Sequence, residues 1–359
     1  MIEAVLFPDM RSEGWRSMDR YADSLIKHLS IANCQLSTFS LEPPIRSSRV
    51  NLFWRDQVYP RLAKAHQGGI NHVLDHSYAH LLNFLSPRKT VITCHDLIPL
   101  EYEKDPVIVG KFRSLVSNLT KAAFIIADSL STKEDLLTKL SVPKEKIEVI
   151  YLGVDPIFRP LLPDEKARVA NKYSLPEGRI IMSHSNTLAY KNIEGMLRAF
   201  REVLLANDLS YFVRVGTEPL TKTQRNLVWE LGISDNLYEI INPSDEELVG
   251  LYNCADVFLS PSFKEGFGLT VLQSLACGTP VVVSSGTSLE EIAGEVGVYA
   301  DPTRVEEIAK AILSVFSEQP ATVRGKEALV RRASGFTWEK TARETLEVYE
   351  SINNLPRLR

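Results

Sequence analysis

The sequence has 359 residues, which is too long for one ordinary hydrophobic core and suits two domains. It is 44% apolar and 24% charged, and it contains no run of about 18 apolar residues that could span a bilayer. The formal net charge of -4 argues against nucleic acid binding, which usually requires a basic face. These totals predict a globular protein and exclude the membrane-spanning and nucleic-acid-binding classes.

The amino-terminal segment and the cysteines predict a compartment. MIEAVLFPDM has no cationic residues before its short apolar run, and Pro8 and Asp9 end that run, so we interpret it as a first strand and not a signal peptide. The four cysteines are widely spaced, with no C-x-x-C pair, which predicts neither a disulfide framework nor a zinc site. We therefore expect a cytoplasmic protein.

Charge differs between the two halves of the chain. Residues 1–160 contain 20 Lys and Arg against 18 Asp and Glu, and the remainder contains 21 against 27. Two interpretations remain open: a first domain in peripheral contact with an anionic membrane, or ordinary scatter of surface charge.

Short apolar runs alternate with helical patterns along the chain, which is typical of parallel βαβ units. In the first half the predicted strands are IEAVLF, HVLD, TVITCH and AAFIIADS, with helices over 18–29 and 133–140. The segment IYLGVDPIFRPLLPDE follows, and its prolines at 156, 160 and 163 predict an extended linker. The predicted strands of the second half are RIIMSHS, YFVRVG, LYEIINP, VFLSPS and TPVVVSS.

This alternation predicts an α/β fold of two Rossmann-like domains, over residues 1–155 and 156–339. The closing helix, over about 340–359, is expected to pack back on the first domain. Ligands of such sheets bind at the carboxyl ends of the strands, so we expect the two parallel sheets to face each other across an interdomain cleft that holds the site.

The segment KEGFGLTVLQSLACGTPVV, which begins at residue 264, has the features of an anion site. Gly266 and Gly268 lie where a strand turns into a helix. A helix N-terminus exposes N–H groups and the positive end of the helix dipole, so the amides of Gly268, Leu269 and Thr270 are expected to hold a diphosphate. A plain strand-to-helix turn would look similar, but Glu265 is a carboxylate that only a ligand or solvent could satisfy there.

The same segment and four others form a specific set. EGFGLTVLQ and ACGTPVV lie in this segment, and the four others are KNIEGMLRAF, DEELVGLYNCADVFLSPS, VIYLGVDPIFRP and FTWEKTARETLEVY. Together they resemble glycosyltransferase family 4, the retaining family with the GT-B architecture, over nearly the whole chain. The resemblance implies transfer of a hexose from a nucleotide diphosphate sugar to a saccharide or lipid-linked acceptor, as in polysaccharide biosynthesis, with no metal or other cofactor.

The resemblance also implies catalytic roles for Glu265, Lys191 and His95, and donor-binding roles for residues around them. Glu265 would approach the donor sugar, and the amides around Phe267 would hold the diphosphate together with Lys191, which precedes an apolar helix. Gln273 stands where the family has a carboxylate that binds the ribose, and Asn186 stands where it often has an arginine. We therefore predict a working but altered donor site.

Other candidates follow predicted strands. His95, with Asp96, resembles the family's cleft histidine, which lies near the donor sugar on the acceptor side, although a histidine satisfied by neighbouring backbone is the alternative. His76 is a candidate for the acceptor pocket. Gly14 fits the family's glycine-rich loop beside the donor phosphates, and Trp15 is a candidate contact for donor or acceptor, with an indifferent surface loop as the alternative.

In the second half, Gly216 and Asn242 follow strands and are candidates for the nucleotide base and ribose pocket, and Asn192 is the predicted N-cap of the helix after Lys191. No D-x-D pair is present, so no metal site is predicted. TLAYKN resembles the form found in mannosyl-type relatives, which favours a GDP-mannose-like donor, with UDP-sugars still open. The alternatives are a nucleotide-sugar epimerase or phosphorylase of the same fold, and a catalytically weak homologue that binds a sugar nucleotide.

Overall fold

The computed structural model describes residues 2–31, 34–44, 47–317 and 325–353. The chain divides into two compact units at Gly153 and again at Phe336, and the residues from Thr337 onward belong to the first unit. These divisions lie two and three residues before the boundaries predicted from the sequence. No helix in the described ranges is long and apolar enough to cross a bilayer.

The first unit contains a six-stranded parallel sheet in the order β2-β1-β3-β4-β5-β6. Its strands are β1 Ile2–Phe7, β2 Cys34–Thr38, β3 Ile70–Val73, β4 Thr90–Cys94, β5 Phe124–Ala127 and β6 Ile147–Val149. Its helices are α1 Arg16–Ile31, α2 Ser48–Phe53, α3 Tyr59–Ala65, α4 Pro99–Tyr102, α5 Pro106–Val116, α6 Leu130–Leu140 and, from the end of the chain, α15 Trp338–Asn353. The carboxyl ends of β1, β3, β4 and β5 are therefore neighbours.

Helix α15 packs on this first sheet through polar and aromatic contacts. The Tyr349 hydroxyl lies 2.7 Å from His72 Nδ1 on β3, and the Thr341 hydroxyl donates to the Tyr151 carbonyl at 2.7 Å. The ring of Trp338 contacts the ring of Tyr21 on α1. The last described helix is thus part of the core of the first unit.

The second unit contains another six-stranded parallel sheet, in the order β12-β11-β10-β7-β8-β9. Its strands are β7 Arg179–His184, β8 Ser210–Gly216, β9 Leu237–Ile241, β10 Val257–Ser260, β11 Val281–Ser284 and β12 Val298–Ala300. Its helices are α7 Pro163–Lys172, α8 Ile193–Ala206, α9 Lys222–Glu230, α10 Asp245–Cys254, α11 Leu269–Ala276, α12 Ser288–Ala293, α13 Val305–Ser317 and α14 Lys326–Ala333. The centre of this sheet is the neighbouring pair β7 and β10.

The linker prediction was wrong at its last proline. Pro163 is the first residue of α7, where the missing N–H costs nothing and the fixed φ angle suits a helix. The Glu165 side chain accepts a hydrogen bond from the Leu162 N–H at 2.9 Å, which completes this helix start.

The prediction of Asn192 as a capping side chain was also wrong. Asn192 precedes α8 in the left-handed conformation, with φ 57°, and makes no side-chain cap. Its Nδ2 donates instead to the carbonyls of Pro261 at 3.0 Å and Pro302 at 2.7 Å. Asn192 therefore ties the start of α8 to the loop after β10, and this brings the preceding Lys191 to that loop.

Candidate functional site

The second unit brings together two predicted site residues that are 74 positions apart in sequence. Lys191 ends a 3₁₀ turn after β7, and Glu265 lies in the loop after β10. The Lys191 Nζ lies 2.7 Å from Glu265 Oε1 and 2.8 Å from Oε2, and only 17% and 12% of the two side chains are exposed. Because β7 and β10 are neighbours, their carboxyl ends place the cation and the carboxylate at one point.

Hydroxyl and backbone groups also hold Glu265. The Ser262 hydroxyl donates to Glu265 Oε1 at 2.7 Å, and the Ser288 hydroxyl donates to the Glu265 carbonyl at 3.0 Å. The Phe263 N–H donates to the Tyr190 carbonyl at 2.8 Å and joins the two loops. We therefore expect the carboxylate to keep its position when a ligand draws the lysine away.

Helix α11 begins directly after this loop. Its N-cap is Gly268, with φ 116°, a left-handed conformation that favours glycine. A Cβ at Gly268 would also lie 2.6 Å from Leu289 Cδ2. The first N–H groups of a helix have no partner within it, so Leu269 and Thr270 offer amides and the positive end of the dipole to an anion. Phe267 is 5% exposed, so its ring is part of the core and its contribution to a ligand is limited to the backbone.

Gln273 is buried in α11 and already has a partner. It is 2% exposed, and its Oε1 accepts a hydrogen bond from the Tyr252 hydroxyl at 3.2 Å. That hydroxyl lies 3.2 Å from His184 Nδ1, at the end of β7. Since the Tyr252 hydroxyl donates to Gln273, it accepts from His184. One lone pair of the Gln273 carbonyl is thus used, and its second lone pair and the amide N–H groups remain for the ribose hydroxyls.

We expect Gln273→Glu to tighten nucleotide binding about tenfold, or about 1.4 kcal/mol, because a carboxylate forms stronger hydrogen bonds with ribose hydroxyls. The same change should lower the thermal midpoint of the ligand-free protein, since it adds a charge at a buried position. Calorimetry with GDP and UDP, and thermal unfolding, measure the two effects. Gln224→Glu, at a buried glutamine on α9, is the control. Unchanged nucleotide affinity in Gln273→Glu would contradict the ribose role.

The structure brings Gly216 and Asn242 together at the ends of β8 and β9. The Asn242 N–H donates to the Gly216 carbonyl at 2.9 Å, and its side-chain Nδ2 donates to the Thr217 carbonyl at 3.1 Å. A Cβ at Gly216 would lie 2.7 Å from the guanidinium of Arg214. The Asn242 amide therefore shapes this turn, and the predicted nucleotide pocket here is built largely from backbone.

Arg214, a charge in the middle of the apolar strand YFVRVG, organises the loop that carries Asn186. Its side chain is 1% exposed and lies 3.2 Å from both Glu239 Oε1 and the Ser185 carbonyl. Asn186 Oδ1 accepts the Leu188 N–H at 3.2 Å. The Ser185 hydroxyl is buried and has no hydrogen-bond partner in the described part of the chain. Ser185 is thus a candidate contact for the donor substrate that was not predicted from the sequence.

In the first unit, the loop after β1 already binds a carboxylate. Gly14 ends a 3₁₀ turn in the left-handed conformation, with φ 77°. The N–H groups of Arg11 and Ser12 donate to the Glu42 carboxylate at 2.6 and 3.1 Å. Trp15 follows and is 62% exposed. A donor phosphate at these amides, as the resemblance implies, would have to displace Glu42.

His95 lies at the carboxyl end of β4, and both its ring nitrogens are engaged. Nδ1 lies 2.6 Å from Asp128 Oδ2, and Nε2 lies 3.0 Å from the Leu74 carbonyl. A carbonyl only accepts, so Nε2 carries a proton, and the contact between Nδ1 and the carboxyl oxygen requires a second proton. No ring nitrogen is left for a sugar hydroxyl in this structure.

The surrounding carboxyl groups determine the charge of His95. Burial alone would lower the pKa of His95, but the hydrogen-bonded Asp128 carboxylate, followed by Asp75 and Asp9, raises this pKa to about 10. Burial and the nearby Asp75 raise the pKa of Asp9 to about 9. At neutral pH the group therefore contains a charged imidazolium and a protonated Asp9.

The two remaining acceptor-side candidates lie beside His95. His76 is 8% exposed, and its Nδ1 accepts the His95 N–H at 3.3 Å. Asp96 Oδ1 accepts the Ile98 N–H at 2.9 Å. In each of these two residues, one polar side-chain atom accepts a hydrogen bond from a nearby backbone N–H. Asp128 was not predicted as a site residue, although the polar end of the strand AAFIIADS is the signal that could have found it.

The free energy of unfolding should fall as the pH rises from 6.5 towards 10, and His95→Gln should reduce this fall. A histidine whose pKa is raised by folding stabilises the protein fully below its unfolded pKa of 6.5, and this stabilisation is lost as the pH passes the folded value of about 10. Denaturant unfolding across this range measures the slope, with His66→Gln, at an exposed histidine, as the control. Equal slopes for wild type and His95→Gln would refute the buried imidazolium.

Two family models match consecutive parts of the chain. The model described as Glycosyltransferase Family 4 matches residues 19–158, and the model described as Glycosyl transferases group 1 matches residues 165–331. The chain belongs to glycosyltransferase family 4. Both units of this family 4 protein are covered, including the loops that carry Lys191 and Glu265.

Named relatives of this family 4 chain include mannosyltransferases. O-antigen chain mannosyltransferase B of Escherichia coli is 29% identical over 293 residues, which are 76% of this chain and 74% of that protein. MMP alpha-(1->4)-mannosyltransferase of Mycolicibacterium hassiacum is 32% identical over 232 residues, which are 63% of this chain and 53% of that protein. The match thus spans about half the length of the second relative.

Solved structures of similar fold cover almost the whole chain. Sucrose-phosphate synthase of Thermosynechococcus elongatus matches with a TM-score of 0.78 and 20% identity, over 99% of this chain and all of that one. HepE of Anabaena, in complex with UDP and glucose, matches with a TM-score of 0.77 and 14% identity, over 98% of this chain and all of that one. At these identities the likeness shows the fold alone, which is the GT-B fold with two Rossmann-like domains.

Proposed function

We propose that this protein is a retaining glycosyltransferase that moves a hexose from a nucleotide diphosphate sugar to a saccharide or lipid-linked acceptor. The contact between Lys191 and Glu265, beside the N-terminus of α11, is the observation that carries the proposal. It places a cation, a carboxylate and free helix amides at one edge of the second sheet, where open α/β sheets bind ligands.

This arrangement matches the charges of glycosyl transfer. The leaving diphosphate gains negative charge, which Lys191 and the amides of Leu269 and Thr270 would stabilise as preorganised donors. The sugar carries positive charge in the transition state, and the Glu265 carboxylate would stabilise it and position its hydroxyls. We propose that this fixed positive charge replaces a metal ion, and that transfer proceeds with retention by front-face attack, as in the family.

The donor in this proposal is GDP-mannose, with a UDP-hexose as the second choice. Mannosyltransferases among the relatives and the TLAYKN segment both support mannose. HepE, whose structure contains UDP and glucose, supports the second choice through the fold alone. The four cysteines are free, which fits the reducing cytoplasm in which we place the protein.

A thermal-shift panel of GDP, UDP and their hexose conjugates tests the donor. A nucleotide that binds only the folded protein raises the unfolding midpoint in proportion to the logarithm of its concentration over Kd. We expect the largest rise with GDP-mannose, and a smaller rise with the same donor in Lys191→Ala. Incubating that donor with candidate glycosides, without added metal and then with EDTA, should give a product whose anomeric proton signal shows retention. An inverted product, or activity that is lost with EDTA, would contradict the corresponding part of the proposal.

A catalytically weak homologue that binds a sugar nucleotide is the second candidate. The engaged carbonyl of Gln273 and the Asn186 oxygen bonded to Leu188 favour it, because both positions lack the charges common in the family. Donor hydrolysis or transfer by the purified protein distinguishes the two. Activity that is lost in Glu265→Ala supports the enzyme, whereas equal rates in wild type and Glu265→Ala support the binding protein.

A further inference from the structure

Four polar side chains meet at the carboxyl ends of neighbouring strands of the first sheet. Asp9 follows β1, Asp75 follows β3, His95 follows β4 and Asp128 follows β5. All four are buried, at 7%, 5%, 5% and 2% exposure. His95 lies 2.6 Å from Asp128, and both His95 ring nitrogens are bonded within the unit.

Asp9 differs from the other three because no donor reaches it. Neither carboxyl oxygen of Asp9 receives a hydrogen bond from the described residues, and Oδ1 of Asp128 also receives none. Asp75, the neighbour of Asp9, accepts a hydrogen bond from the Ser77 N–H. Leaving a buried carboxyl oxygen without a donor is costly, so such a group in a native protein requires an explanation.

The loop that carries Asp9 is held on both sides. The Tyr59 hydroxyl donates to the Pro8 carbonyl at 2.8 Å, and the Met10 N–H donates to the Tyr78 hydroxyl at 3.0 Å. Both tyrosine rings are buried in the core of the first unit. The fold therefore directs Asp9 into this cluster, and its lack of a donor is not an effect of a loosely held loop.

The missing partner has to supply hydrogen-bond donors. The described residues contain no group of three His, Cys, Asp or Glu side chains that could hold a metal ion. Asp75 offers only acceptor oxygens unless the two carboxyls share a proton. Burial and Asp75 raise the pKa of Asp9, so Asp9 can donate to Asp75 with one oxygen, but its other oxygen still requires a donor. Neighbouring hydroxyl groups of a sugar ring meet this requirement, because each can donate to one carboxyl oxygen.

We propose that the Asp9 carboxyl and Asp128 Oδ1 form a saccharide subsite that binds hydroxyl groups of a substrate sugar, with His95 as a positioning residue that holds Asp128. This inference rests on the proposed function, since it assigns to the first unit a contact with one of the two sugars of the transfer. The Asp9 oxygens are covered in the ligand-free structure, so binding of the sugar requires the side chains that cover them to move, while the hydrogen bonds at Pro8 and Met10 hold the backbone of the loop. The His95 imidazolium, 2.6 Å from Asp128 Oδ2, holds that carboxyl group in place.

Binding of methyl α-D-mannopyranoside, measured by saturation-transfer NMR, and of GDP-mannose relative to GDP, measured by calorimetry, tests the subsite. Asp9→Leu should raise the Kd of one probe at least tenfold while raising the thermal midpoint, because it removes a buried group without a donor. Asp9→Asn should fold, and it should raise the Kd of the same probe less than Asp9→Leu does, since an amide keeps one acceptor and gains donors. Loss confined to the glycoside assigns the acceptor sugar, and loss confined to the mannose part of GDP-mannose assigns the donor sugar.

Asp135→Asn is the matched control, at a buried carboxylate of the same unit that lies 3.1 Å from the Lys139 amine. It should lower the thermal midpoint and leave both probes bound as in wild type. Wild-type binding of both probes by Asp9→Leu or Asp9→Asn would overturn the subsite and leave Asp9 bonded to a buried water only. Failure of the proposed function gives a different result, because GDP and UDP then fail to bind the wild type while the glycoside measurement still reports on Asp9.

Discussion

Lys191→Ala should lower the rate of sugar transfer at saturating donor by about 10²- to 10³-fold, the usual loss when one preorganised charge partner of a transition state is removed. Lys191 contacts both oxygens of Glu265 in the ligand-free protein, so the diphosphate has to compete with this carboxylate for the cation. We expect the KM for the donor to rise as well. Lys191→Arg should retain part of the rate, because the positive charge remains but a planar guanidinium replaces the compact amine.

Glu265→Gln gives a signature that a purely structural ion pair would not. Removing the carboxylate charge frees the Lys191 amine, so GDP or UDP without a sugar should bind more tightly, while transfer falls. Calorimetry and a coupled assay for the released nucleotide measure the two opposite changes. Lys222→Ala, at an exposed lysine on α9, is the matched control and should leave both unchanged. A transfer rate within threefold of wild type in Lys191→Ala would refute the role of Lys191 in transfer.

Gly153→Ala should lower the thermal midpoint by about 10 °C or more, as expected for a loss of about 4 kcal/mol in a protein of this size. A Cβ at Gly153 would lie 2.2 Å from the backbone N of Trp338 and 2.6 Å from the carbonyl carbon of Thr337. These are backbone atoms, so no side-chain rotation relieves the overlap. The start of α15 would have to move away from the first unit.

Gly110→Ala provides the control for this prediction. Gly110 lies within α5, and a Cβ there would meet no atom within 4 Å. Alanine is favoured over glycine inside a helix by about 0.5–1 kcal/mol, so this variant should be slightly more stable than wild type. Fluorescence of the buried Trp338 should shift to longer wavelength in Gly153→Ala and remain unchanged in Gly110→Ala. An unshifted midpoint in Gly153→Ala would contradict the close approach.

Strands with a continuous apolar pattern were predictable, and short or half-exposed strands were not. β1 and β4 lie where IEAVLF and TVITCH predicted them. β2, with the sequence CQLST, and the three-residue β6 have few apolar side chains and join the sheet through backbone hydrogen bonds to a neighbouring strand. The apolar helix predicted after Lys191 is α8, and its apolar side chains form one buried face because their spacing matches one side of a helix.

Partners of the site residues depended on strand order, which the sequence pattern does not give. Lys191 and Glu265 were predicted separately, and they meet because β7 and β10 are neighbours. Asp128 reaches His95 because β5 lies beside β4. Gln273 was predicted to contact the ribose, and only the structure shows that its carbonyl accepts a hydrogen bond from the Tyr252 hydroxyl on another helix.

The sequence by itself determined the family, the alternation of strands and helices, and the residue types of the candidate site, because local patterns and motif spacing carry this information. Only the tertiary structure decided that Glu265 holds Lys191 before any ligand binds, that both nitrogens of His95 are occupied, and that Asp9 lacks a donor. These properties depend on distances between side chains on different strands, and the order and packing of the strands set those distances.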